Sequence, residues 1–125
     1  MPMLKRLPDG EFEVMKVIWE SPPPITSLHV MERLDGDRKP QTVLTMLARL
    51  IEKGFLRSER VGKERNYTPE ISERDYMSLE TGDFLKRYGG NSLGSLVKAL
   101  SDGRKLSEED IRELREWMAD RTDRL

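Results

Sequence analysis

Gln41, Thr42, Thr45 and Arg49 are the residues whose types and spacing best fit a chemistry, and that chemistry is hydrogen bonding to the edges of base pairs. Spacings of one, three and four residues gather them on one side of a helix. Glutamine can read adenine, arginine can read guanine, and a threonine methyl can touch the methyl of thymine. The surrounding sequence is locally basic. Residues 38–65 hold eight Lys and Arg against three Asp and Glu, while the whole chain holds 22 against 23 and a formal net charge of -1. Within or beside that stretch, Lys39, Arg60, Lys63 and Arg65 are candidates for phosphate contacts, which position a protein without reading sequence. Each feature has a plainer alternative. The helix face could simply be solvated, and a charged hairpin edge resists aggregation.

Other chemistries lack material. The 125 residues contain no cysteine, which excludes disulfides, thiolate metal sites and cysteine nucleophiles. One histidine, His29, leaves His-rich metal sites and most His-based catalysis without residues, and it reads as structural or solvent-exposed. No glycine-rich phosphate loop, nucleophile elbow or metal-ligand spacing occurs, so neither an enzyme nor a cofactor is expected. Glu108, Glu109 and Asp110 open a helix, where acids are stabilising in any case. The seven methionines mostly fall on apolar faces and read as core filler. No apolar run approaches the roughly 18 residues of a membrane span, and residues 1–8 lack the apolar stretch of a signal peptide. A cytoplasmic protein with no membrane insertion is the expectation.

The elements that must position these residues are legible from periodicity. A first helix is expected over Asp9–Glu20, with Asp9 as its N-cap and Phe12, Met15, Ile18 and Trp19 as its stripe. Ser21-Pro22-Pro23-Pro24 ends it. Thr26 caps a second helix whose narrower face is Leu28, Met31 and Leu34, and Asp35-Gly36-Asp37 signals a turn. A third helix runs from about Pro40 to Lys53, with Gly54 suited to a left-handed cap. Its core side is Val43, Met46, Leu47, Leu50 and Ile51; Gln41, Thr42, Thr45, Ala48, Arg49 and Glu52 lie opposite. Phe55–Arg60 and Arg65–Thr68 read as the strands of a hairpin around Gly62, and Tyr67 reads as a packing residue. Ser72 with Asp75 starts the next helix, Gly89-Gly90 and Ser101-Asp102-Gly103 break the chain, and Ser107 with Asp110 caps the last helix.

Three helices and a hairpin followed by three helices fit a mainly α fold: a winged helix-turn-helix domain over residues 1–70 and a C-terminal helical domain over 71–125. The second part carries an apolar stripe on each helix: Phe84, Leu85 and Tyr88; Leu93, Leu96, Val97 and Leu100; Ile111, Leu114, Trp117 and Met118. About 55 residues rarely make a stable core alone, so these helices either fold back on the first domain or associate with a second copy, and the long stripes favour association. The expected whole is a homodimer on double-stranded DNA. The alternative is a winged-helix module whose basic wing meets an acidic protein partner, with no sequence-specific DNA binding.

The chain also resembles the penicillinase-repressor family (BlaI, MecI and CopY type). The matching stretches are 12–19, the run Thr42-Val43-Leu44-Thr45-Met46-Leu47-Ala48-Arg49-Leu50 with Lys53-Gly54, and Gly62-Lys63 with Tyr67 and Pro69. Phe84-Leu85, Tyr88-Gly89-Gly90, Ser92-Leu93 and 106–111 match further on. The resemblance implies a cytoplasmic homodimeric repressor on palindromic operators, relieved by a stress or antibiotic signal. In the β-lactam branch it implies a membrane sensor-protease as partner and a scissile Asn-Phe pair; the aligned pair here is Ala99-Leu100. The copper branch uses C-terminal cysteines, which this chain lacks, and Pro8 stands where the family often has a Ser or Thr cap.

Overall fold

The computed structural model describes residues 4–34, 36, 38–90 and 92–122. The elements are α1 (Asp9–Glu20), α2 (Ser27–Arg33), α3 (Pro40–Glu52), β1 (Leu56–Val61), β2 (Glu64–Pro69), α4 (Glu73–Arg87), α5 (Leu93–Asp102) and α6 (Glu108–Thr122). This is the mainly helical architecture with a single hairpin that the sequence implies. Among the described residues no helix is long and apolar enough to cross a membrane.

The start of α1 corrects one expectation. Pro8, not Asp9, is the N-cap, and no side chain caps this end. The proline carbonyl already accepts the Phe12 N–H at 2.9 Å, so Asp9 becomes the first helical residue. There it still favours the positive end of the helix dipole. The cap of α2 is as expected: the Thr26 hydroxyl accepts the His29 N–H at 3.2 Å. Of its expected apolar face, Leu34 is buried and Met31 packs against the core, but Leu28 does not join them. Val30 is the buried residue of this helix, and Leu28, two residues earlier and so on the far side of the cylinder, is 59% exposed. Asp35 and Asp37 of the expected turn lie outside the described residues; Gly36 between them has φ 88°.

Helix α3 is seated by Val43, Leu47 and Leu50, all fully buried, with Met46 beside them. Ile51, expected on that face, lies one step around the helix from Leu50 and is 37% exposed. The helix ends in a Schellman motif. The Phe55 N–H reaches the Leu50 carbonyl at 2.9 Å and the Gly54 N–H reaches Ile51 at 3.1 Å, with Gly54 at φ 87°. Phe55, now locked against Leu50, is completely buried.

The hairpin strands run closer to the turn than the sequence suggested. The register extends from Leu56↔Pro69 to Val61↔Glu64, leaving Gly62 and Lys63 as a two-residue turn. Gly62, at φ 66°, supplies the positive dihedral this turn needs at its first position. Tyr67 is buried, as packing requires, and its N–H ties β2 to the Ile25 carbonyl at 2.8 Å.

The chain divides into two compact units, residues 1–84 and 85–125. The sequence reading put the boundary at residue 70, and Tyr76 explains the difference. This residue, on none of the expected stripes, is fully buried against Phe55 at 5.5 Å, Trp19 at 5.7 Å and Phe12 at 5.8 Å between ring centres. Its hydroxyl accepts the Leu7 N–H at 2.6 Å. Trp19 donates to the Ile71 carbonyl at 2.9 Å, and Lys16 bridges to Glu73 at 3.0 Å. The first turns of α4 thus complete the first core.

In the second unit, Ser92 caps α5 by accepting the Ser95 N–H. Ser107 and Asp110 form a reciprocal cap on α6: Asp110 accepts the Ser107 N–H at 2.9 Å and Ser107 accepts the Asp110 N–H at 3.1 Å. The Ser107 N–H and hydroxyl hold the Asp110 carboxyl below its ordinary range. None of the described residues between 85 and 121 is buried.

Burial pushes the Tyr76 phenol up to about 12, and a hydrogen bond to Glu80 adds to it. A raised folded value means that this contribution to stability is complete below the unfolded value of about 10 and is lost as pH rises toward 12. Tyr76→Phe should therefore flatten the loss of stability above pH 10. It should also cost about 1–2 kcal/mol at neutral pH, because the buried Leu7 N–H loses its acceptor. Urea unfolding across pH 7–12 measures both.

Candidate nucleic-acid interface

Because Val43, Leu47 and Leu50 point into the core, the opposite side of α3 is fixed by geometry. Gln41, Thr42 and Arg49 are exposed there and Thr45 is half-buried. The span from Gln41 to Arg49 is about 12 Å along the axis. The Thr45 hydroxyl donates to the Gln41 carbonyl at 2.9 Å. It is satisfied within the helix, which leaves the threonine methyl as the group available to a base edge. Lys39 occupies the N-cap of α3, and its carbonyl accepts the Thr42 and Val43 N–H groups. Its side chain caps nothing.

The ion pairs of the fold sort the basic residues of 38–65 into two groups. Arg38 pairs with Glu13, Lys53 with Glu11 at 2.5 Å and Arg57 with Glu70 at 3.2 Å. Lys39, Arg49, Arg60, Lys63 and Arg65 are exposed and make no ion pair among the described residues. The unpaired group is the set that sequence reasoning assigned to bases and phosphates. Glu52, on the last turn of α3, is an exposed acid beyond Arg49.

The hairpin places its share of these cations by strand alternation. Leu56 and Tyr67 lie on the inner face and are buried; Ser58, Arg60 and Arg65 continue the same face toward the tip. Arg60 and Arg65 are directly opposite each other, a like-charge pairing that is unfavourable without an anion nearby. Arg65 leans on the Ser58 hydroxyl at 2.9 Å and Arg60 on the Gly62 carbonyl at 3.4 Å. Glu59 and Glu64 fall on the other face. Lys63 is exposed in the turn itself. Arg57, on the face of Glu59 and Glu64, is the cation paired with Glu70, so the unpaired cations of the two strands share the inner face.

Two residues of this region escaped the sequence reading. Leu44, 42% exposed, shares the outer side of α3 with Gln41, Thr45 and Ala48, where helical spacing alone places it. Glu11, on α1, is 4% exposed and anchors Lys53 just after α3; only tertiary contact reveals that pair.

The residues expected to join two copies are on α4, α5, α6 and the turn after α4. Phe84, Leu85, Tyr88, Leu93, Leu100, Ile111, Leu114, Trp117 and Met118 are each 37–67% exposed, while Leu96 and Val97 are half-buried. Arg121 lies over the Trp117 ring at 5.2 Å. No cluster of three or more metal-ligating side chains occurs among the described residues.

Comparison with known proteins assigns the chain. A family model described as penicillinase repressor matches residues 7–120. The chain belongs to the penicillinase repressor family. A penicillinase repressor of Bacillus licheniformis is 38% identical over 116 residues, covering 91% of this chain and 90% of that protein. A methicillin resistance regulatory protein, MecI, of Staphylococcus aureus is 28% identical over 107 residues, covering 85% and 87%. Among solved structures, the monomeric form of Bacillus licheniformis BlaI in complex with the blaP half-operator is similar with a TM-score of 0.51 and 41% identity. It covers 61% of this chain and 94% of that one. The DNA-binding domain of the repressor BlaI aligns with a TM-score of 0.52 at 40% identity. These relatives are named as repressors and regulatory proteins, not as enzymes.

The division between paired and unpaired cations has a direct test in stability. Lys53→Met strands the buried Glu11 carboxylate and should cost about 1–2 kcal/mol. Lys63→Met removes no contact and should stay within about 0.5 kcal/mol of wild type. Equilibrium urea unfolding of both variants checks this.

Proposed function

We propose that this protein is a sequence-specific DNA-binding transcriptional repressor that acts as a homodimer on an inverted-repeat operator. The observation that carries the reading is the set of cations left unpaired by the fold around a helix face that is slim, polar and fixed by burial behind it. In this reading α3 lies in the major groove. Gln41, Thr42, Thr45 and Arg49 read base edges, and Lys39, Arg60, Lys63 and Arg65 hold phosphates. The membership of a repressor family and the likeness to a half-operator complex support it.

Dimerisation is supported by the second unit itself. A unit of about 40 residues whose described side chains are none of them buried lacks the closed core that would hold it alone. Leu85, Leu93, Leu100, Ile111, Leu114 and Trp117, all exposed in one copy, are the surface that a second copy covers. Two-fold symmetry then matches the protein to two half-sites. A stress or antibiotic signal relieves repression by separating the copies, because one copy makes half the contacts. The protein works in the cytoplasm, where the DNA is.

The full chain should sediment as a dimer at micromolar concentration. It should bind an inverted-repeat duplex at least a hundredfold more tightly than residues 1–84 at the same salt. Thr45→Glu should abolish duplex binding without unfolding the protein, since it sets a carboxylate against the bases. Equal binding by the two lengths, or an indifferent Thr45→Glu, speaks for a protein partner at the basic wing instead.

A further inference from the structure

We infer that Leu44 is a specificity-determining residue that reads the 5-methyl groups of thymine, so that the half-site beneath the first two turns of α3 is rich in A·T pairs. The inference rests on the DNA-binding reading above and adds to it a residue and a base preference.

Leu44 is anomalous where it stands. Val43 just before it and Met46 two residues after it are buried at 0% and 7%, yet Leu44 leaves 42% of its surface in solvent, more than Ile51, one heptad on, at 37%. At i+3 and i−4 it adjoins Gln41 and Ala48, and it is next to Thr45. An exposed leucine gains nothing in the free protein, whereas in a major groove the apolar feature it can meet is the methyl of thymine. The same face offers two further methyl surfaces: Ala48, which is exposed, and Thr45, whose hydroxyl is already bound to the Gln41 carbonyl. Gln41 adds an amide suited to adenine. The guanine-reading side chain of this face, Arg49, lies five residues further along, on the opposite flank of the outer face from Leu44. An amide and the methyl surfaces of Leu44 and Thr45 in the first two turns, with Ala48 and Arg49 on the third, describe a reader of A·T pairs followed by a G·C pair.

The test uses the full chain and a duplex chosen by the protein itself. Wild-type protein selects from a library of inverted repeats with randomised half-sites, and in the winning duplex each thymine is replaced in turn by deoxyuridine, which removes only the methyl. At one or two positions per half-site the replacement should weaken wild-type binding about fourfold, the size expected for one buried methyl. Leu44→Ala, a change at an exposed helix position, should bind the thymine and uracil duplexes equally at those positions. Leu44→Gln should shift the base selected there away from thymine. Uracil duplexes that all bind wild type as well as thymine duplexes overturn the inference and leave the repressor reading standing. So does a uracil penalty that persists unchanged in Leu44→Ala. A library from which nothing is enriched overturns the DNA-binding reading itself, and the role of Leu44 with it.

Discussion

The structure depends on how α3 is seated. Val43, Leu47 and Leu50 are withdrawn from solvent completely, and the Schellman motif at Gly54 locks the following Phe55 into the same core. A helix held by three such side chains cannot rotate without exposing them, at a cost of several kcal/mol. Its rotation therefore decides which residues face outward: Gln41, Thr45 and Ala48 toward the centre, with Leu44 on one flank and Arg49 and Thr42 on the other. The interface is a consequence of the packing behind it.

Charge is arranged on the same principle. An acid on each of α1 and the loop after β2 takes up cations that the fold needs near its own surface, as with Glu11 and Lys53 or Arg57 and Glu70. What remains unpaired is concentrated at the N-cap of α3, on its flank and along the inner face of the hairpin tip. Net charge near zero is compatible with this, because an anionic partner senses the local field more than the total. Facing Arg60 and Arg65 across the hairpin costs the free protein some repulsion, which a phosphate between them would reverse in the proposed complex.

Much of this was legible in the sequence, because helical periodicity, proline and glycine signals and the turn at Gly62 are local. The order of elements, the caps at Thr26 and Ser107 and the outer face of α3 follow from neighbours within four residues. The misses are of another kind. Tyr76 lies on none of the expected stripes, since its partners Leu7, Phe12, Trp19 and Phe55 are far away in the chain, and with it the first compact unit extends past residue 70. Leu28 and Ile51 fit an apolar stripe by type, but the width of the neighbouring surface decides burial, and a short α2 turns Val30 and Met31 to it rather than Leu28. At Pro8 the backbone carbonyl does the work that a side-chain cap at Asp9 was expected to do.

The second unit carries the complementary lesson: its helices are capped by their own residues, while their apolar sides stay open in a single copy. Local signals suffice to make the helices, and in the proposed dimer a symmetric partner closes the surface. The claim on which the rest stands is that the unpaired cations meet phosphates. The slope of log Kobs against log salt, for the full chain on an inverted-repeat duplex, measures this most directly. The account predicts a steep negative slope that becomes shallower by about 1.8 for each of Arg60, Lys63 and Arg65 replaced by alanine, because each replacement removes two cations from the dimer. A slope that these replacements leave unchanged contradicts it.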